Sequence, residues 1–170
     1  MTSADLLVDG FGRIRELVHA AVEGLSTEEL AFRADPEANS IAWLVWHLTR
    51  IQDDHIAAAA QIEQAWTEGG WVERFGLPFD RRATGYGHDA KDVAAVRVES
   101  GDLLTGYHDA VCEQTTRYVA ALADPDLVRV VDAAWNPPVT LGVRLVSVLA
   151  DDLQHVGQAS FLRGIVERAR

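Results

Sequence analysis

From Thr140 to Ile165 the chain carries apolar side chains on almost every turn of a helical repeat, interrupted inward by Asp151 and His155. A segment this long and this apolar can only be one helix packed inside other helices. It includes Val146, Leu149, Leu153 and Val156 on one side and Val143, Val148, Leu162 and Ile165 on the other. That distribution predicts a helix largely buried all round. Asp151 and His155 stand four residues apart and so project from the same face, one turn from each other.

Three more segments repeat the helical spacing. Ala4 to Leu25 places Leu6, Leu7, Phe11, Ile14, Leu17, Val18 and Val22 on a helical repeat, with Gly24 near its end. Ser26-Thr27-Glu28-Glu29 has the form of a capping box and predicts a short turn carrying Leu30. After a loop from Phe32 to Asn39, either Asn39 or Ser40 caps a second long helix running to about Gln64. Its apolar face holds Ile41, Leu44, Val45, Leu48, Ile51 and Ile56, and Arg50, Asp53 and Asp54 fall beyond its first two turns. A third helix runs from Ser100 to about Leu122, with Leu103, Leu104, Tyr107, Val111, Thr115, Tyr118 and Val119 inward.

Two connections are long. Trp66 to Lys91 holds Pro78 and five of the 13 glycines, and it reads as a structured loop of the functional kind. Asp124-Pro125 and Trp135-Asn136-Pro137-Pro138 frame the other, which contains the β-prone run Val128 to Val131. Four long helices with two long connections predict an all-α four-helix bundle, a single domain over residues 1–170.

Composition excludes several classes of function. A net charge of −11 with no basic stripe argues against nucleic acid. No apolar run approaches the ~20 residues that span a bilayer, and the N-terminus lacks the pattern of a secretory signal. The single cysteine, Cys112, allows no internal disulfide. Together these predict a cytoplasmic protein without membrane contact. Arg supplies 14 of the 15 basic residues, a bias that suits a GC-rich genome.

In a bundle, polar side chains on facing helices build metal sites, and a buried carboxylate needs a cation or donors. His47 lies on the apolar face of the second helix with Trp43, Leu44 and Ile51, so it is the candidate third ligand beside Asp151 and His155. Two readings stay open on spacing alone: a shared divalent cation, or an Asp–His hydrogen bond in the core with His47 unrelated. Asp152 competes with Asp151 for the ligand position. It points about 100° away around the helix, toward expected solvent. His55 lies two turns beyond His47, ~12 Å along the axis, too far to share a cation. His19, His88 and His108 show no ligand spacing and are expected on the surface or in loops. Cys112 reads as a small core residue. Trp43, Trp46 and Trp135 are candidates to line a cavity, with Arg50 and Tyr86 as further pocket candidates. Gln158 is a candidate hydrogen-bond donor behind the ligands. Gly157 would let a neighbouring backbone approach closely, or simply pack.

These residues resemble the DinB/YfiT-like superfamily of metal-binding four-helix bundles, in which one histidine on the second helix joins an H-x3-H pair on the fourth. The matching positions here are His47, Asp151 and His155, followed by Gly157-Gln158; Asp151 departs from the commoner histidine. Three stretches are similar to the mycothiol-dependent transferase and isomerase branch: Asn39 to Leu48 (NSIAWLVWHL), Thr84 to His88 (TGYGH) and Asp151 to Gly164 (DDLQHVGQASFLRG). The resemblance implies a divalent metal, zinc before nickel, iron or manganese, held by His47, Asp151 and His155 with an open position. It implies a low-molecular-weight thiol of the mycothiol type, activated as a metal-bound thiolate and transferred to an electrophile in detoxification or stress response. An actinobacterial source fits the arginine bias. A mycothiol-dependent isomerase, a non-catalytic metal-binding stress protein, and a structural module that pairs as a homodimer are the alternatives.

Overall fold

A computed structural model describes residues 1–170. Four long helices make the frame: α1 (Ser3–Val22), α3 (Ile41–Ala60), α7 (Gly101–Ala120) and α8 (Leu141–Ala169). Four short helices fill the connections: α2 (Thr27–Leu30), α4 (Ala65–Glu68), α5 (Trp71–Phe75) and α6 (Ala90–Ala95). Between α7 and α8 the chain makes a 3-10 turn at Asp124–Val128 and a small antiparallel pair, β1 (Val130–Asp132) with β2 (Val139–Thr140).

Helix starts follow local chemistry. Ser26 and Glu29 close a reciprocal capping box at α2. The hydroxyls of Ser40, Ser100 and Thr140 accept backbone N–H groups of α3, α7 and α8, satisfying donors that have no partner inside the helix. So Ser40, not Asn39, is the cap. Gln61 ends α3 in the left-handed conformation.

Helices α1 and α3 stand diagonally opposite, and each packs against both α7 and α8. The shared core includes Phe11, Ile14 and Val18 of α1, Leu44 and Leu48 of α3, Tyr107 and Val111 of α7, and Val148 and Val156 of α8. At about 25 cal/mol per Å² of apolar surface removed from water, such packing is the main stabilising term.

The most buried helix is α3, not α8. The connection from Gln61 to Val96 folds over the outer side of α3 and α7, with Trp66 and Phe79 against Trp46 of α3 and Trp71 and Phe75 against Tyr107 of α7. Arg50 and Asp53, expected only to lie beyond the apolar turns, are consequently sealed in the interior. Helix α8, expected to be buried all round, buries one stripe: Leu141, Leu145, Val148, Asp152, Val156, Ala159, Leu162 and Val166. Val143, Val146, Leu153 and Phe161 face solvent. The reason is positional: the connection from α7 meets α8 at its first turns, by Gly142 and Arg144, and leaves Val146, Leu153 and Phe161 uncovered. No helix is long and apolar enough to cross a membrane.

Candidate metal centre

Helices α3 and α8 run antiparallel and place three side chains at one point between them. One ligand atom each from His47, Asp151 and His155 lies within 4.8 Å of the others. The His47 and His155 rings meet edge to face with centroids 4.9 Å apart. The i,i+4 spacing on α8 brings His155 Nε2 to 3.6 Å from Asp151 Oδ1.

Each imidazole is oriented from behind. The Nδ1–H of His47 donates to the Thr84 carbonyl at 2.5 Å, and Nδ1 of His155 lies 3.4 Å from Gln158 Oε1. A ring nitrogen engaged in this way leaves Nε2 as the free lone pair, the usual arrangement behind a metal-binding histidine. Trp43 stacks on His47 with centroids 4.5 Å apart and 17° between planes, and meets His155 edge-on. Burial holds the His47 imidazole below its ordinary pKa, so it is neutral. His155 is pushed up by the Asp151 carboxylate beside it. Burial works to raise Asp151, but His155, His47 and His55 outweigh it and leave the carboxyl below its usual range.

A divalent cation fits this arrangement on two counts. Two ligands at ~2.0–2.1 Å from a tetrahedral ion sit about 3.4 Å apart, close to the Asp151–His155 separation. Asp151 Oδ2 is buried with no hydrogen-bond partner, which is costly unless something positive meets it. His155 and Asp151 keep 19% and 34% of their side chains exposed, so the cluster opens to solvent on the α8 side.

Asp152 is the clearest correction. It does not reach solvent: its side chain is 0% exposed and neither oxygen has a partner. Burial, then the charge of Asp151, drives its carboxyl well above the ordinary range, which favours the neutral acid. The offset of one residue does rotate it away from the imidazoles, but toward the bundle centre.

The other expected residues divide. Trp46 lies behind the cluster with its ring stacked on His88 (5.8 Å, 18°). Gln158 reaches His155 through its carbonyl Oε1, so it accepts from the ring and is not the expected donor. Arg50 sits deeper, donating to the Ala83 carbonyl (3.1 Å), Gln64 (3.0 Å) and the Tyr107 hydroxyl (3.2 Å) beside Asp53. It clamps the chain one residue before Thr84, so it supports the His47 contact from a distance. Tyr86 and Trp135 turn outward, 90% and 67% exposed. His55 faces Arg144 and Asp54.

His88 lies in a loop, as expected, but packs inward against Trp46 and Phe79, and its Nδ1 accepts from Trp43 Nε1 at 3.2 Å. His108, expected on the surface or in a loop, is instead on α7, fully buried against the Thr49 hydroxyl (3.1 Å). His19 pairs with Asp109 at 2.8 Å. Cys112 is buried, and burial raises its thiol pKa, so it is no ready nucleophile. Thr84 and Gly85 were not legible from spacing. Gly85 has φ +92°, and a Cβ there would lie 2.7 Å from His47 Nδ1, so only glycine lets the Thr84 carbonyl close on the ring. Gly157 has no close backbone neighbour; a Cβ there would meet nothing within 4 Å.

A fold of two helix pairs with a two-histidine, one-carboxylate cluster between its second and fourth long helices defines a class of bundle able to hold a metal. A family model described as mycothiol-S-transferase matches residues 6–168, and the chain belongs to that family. The crystal structure of a conserved protein from Enterococcus faecalis is similar at a TM-score of 0.89, with 30% identity over 96% of both chains. No curated protein matches the chain.

Proposed function

We propose that this chain is a metal-dependent thiol S-transferase, joining a low-molecular-weight thiol of the mycothiol type to an electrophilic small molecule. The observation that carries the reading is the convergence of His47, Asp151 and His155, with the other Asp151 oxygen, Oδ2, buried and unpartnered. His47, Asp151 and His155 would hold the cation, and family membership supplies the thiol.

When bound, a divalent cation would supply Lewis acidity that brings a thiol to its reactive, deprotonated form near neutral pH. The chain's own residues do the rest. Thr84 and Gln158 fix the two imidazoles with Nε2 toward the shared point, so little reorganisation is needed there. Trp43 and Trp46 keep water from the inner side. The exposed edge of Asp151 and His155 admits the reactants. The thiol sulfur forms a bond to the electrophilic carbon, the thiol proton leaves to solvent, and the electrophile's leaving group departs with the electron pair of the broken bond.

The test is thiol consumption by the zinc-loaded protein with monochlorobimane, comparing mycothiol, bacillithiol and glutathione. The expected result is turnover with a sugar-derived thiol that falls at least 100-fold in His47→Ala. Absence of turnover with every thiol, or equal turnover in His47→Ala, would overturn the reading.

A further inference from the structure

Helices α3 and α8 leave a second feature one turn along from the imidazoles. A cavity of about 460 Å³ lies there, floored by Leu44 and Leu162 and walled by Phe161, with Asn39 and Gln158 at its polar edge. Its volume lies in the range of small-molecule sites, which are mostly apolar with a few polar groups that set orientation. Phe161 is 67% exposed, a large ring left in water beside its own concavity. Gly157 lies in the wall with open space around it: a Cβ there would meet nothing within 4 Å. In the middle of a 29-residue helix glycine costs about 1 kcal/mol relative to alanine, so nothing in the helix itself calls for it.

Gln158 joins this groove to the cluster. It lines the groove and holds Nδ1 of His155 from the same position. The groove has no basic side chain, so its chemistry does not suit the anionic part of a ligand. We infer that the groove between α3 and α8 is the subsite for the uncharged, apolar part of the electrophile, laid along Phe161 and Leu162 with its reacting end toward His155. This rests on the transferase reading for its occupant, but the binding can be measured without thiol or metal. The rival occupant is a second copy of the chain seated on Phe161.

The probe is N-phenyl-1-naphthylamine, neutral and apolar, titrated by fluorescence into metal-free protein. Saturable binding is expected, weakened at least tenfold in Gly157→Phe, which fills the groove, and severalfold in Phe161→Ser, which removes its wall. Thermal melts establish that each variant is folded, and Phe161→Ser serves alone should Gly157→Phe not fold. His47→Ala should bind the probe as the parent does, so a failed transferase reading leaves this result intact. Absence of saturable binding, or equal binding in parent and folded variants, would overturn the inference. So would sedimentation showing a dimer that Phe161→Ser splits, with no probe bound.

Discussion

Asp151 and Asp152 are neighbours in the chain, yet one faces two imidazoles at the edge of α8 and the other is sealed in the core without a single hydrogen-bond partner. Their pKa directions diverge accordingly, Asp151 low and Asp152 high. If Asp152 is a neutral acid, then Asp152→Asn keeps its shape and its charge state. Stability should change by less than about 1 kcal/mol, and bound metal should stay at one per chain. Urea unfolding with metal analysis measures both; loss of metal in this variant would give Asp152 a ligand role that the geometry denies it.

The loop that holds His47 gives a second expectation. Gly85→Ala forces an L side chain to φ +92° and pushes a methyl against His47 Nδ1. Metal affinity should fall 10–100-fold as the Thr84 carbonyl is displaced, alongside ~1–3 kcal/mol of strain. Gly87 has φ +79° with open space around it, so Gly87→Ala should cost stability but not affinity. Competition with a chromophoric chelator separates the two, and equal affinities in both variants would show that the loop does not orient the ring.

His108 sets an acid limit on the fold. Burial depresses its pKa from 6.5 to about 4. Above pH 6.5 it is neutral whether folded or unfolded and contributes no pH dependence. Between pH 6.5 and 4 the unfolded chain takes up a proton that the native chain refuses, so stability falls with falling pH. The full loss is about 3 kcal/mol, reached near pH 4. His108→Gln, which can still donate to Thr49, should remove this slope between pH 7 and 4.5 in urea titrations; parallel curves for the two proteins would contradict it.

The sequence carried the frame and the triad but not the support around it. Ser26, Ser40, Ser100 and Thr140 announce helix starts through their own hydroxyls, and the apolar repeats of α1, α3 and α7 are local signals. The Asp151–His155 spacing is likewise local, since one helical turn makes it. Asp152 lies inward where its offset predicts solvent, because an angular offset on a helix does not tell which side the neighbouring helices occupy. His108 is buried for the same reason. Thr84, Gly85 and His88 depend on how the segment from Gln61 to Val96 lies over α3. Arg50, Asp53, Tyr107 and the backbone N–H groups of Ala65 and Trp66 decide that together, through contacts spread over more than fifty residues.

The proposed function requires His47, Asp151 and His155 to share one divalent cation. Its most direct test is elemental analysis of purified protein with chelator competition, for the parent and for His47→Ala, Asp151→Ala and His155→Ala. One zinc-class ion per parent chain is expected, with binding weakened at least 100-fold in each variant. Removing the ion with a chelator should lower the parent's melting temperature and leave the variants' unchanged, because a ligand of the native state stabilises by mass action. Parent protein without stoichiometric metal after loading, or full occupancy in all three variants, would contradict it.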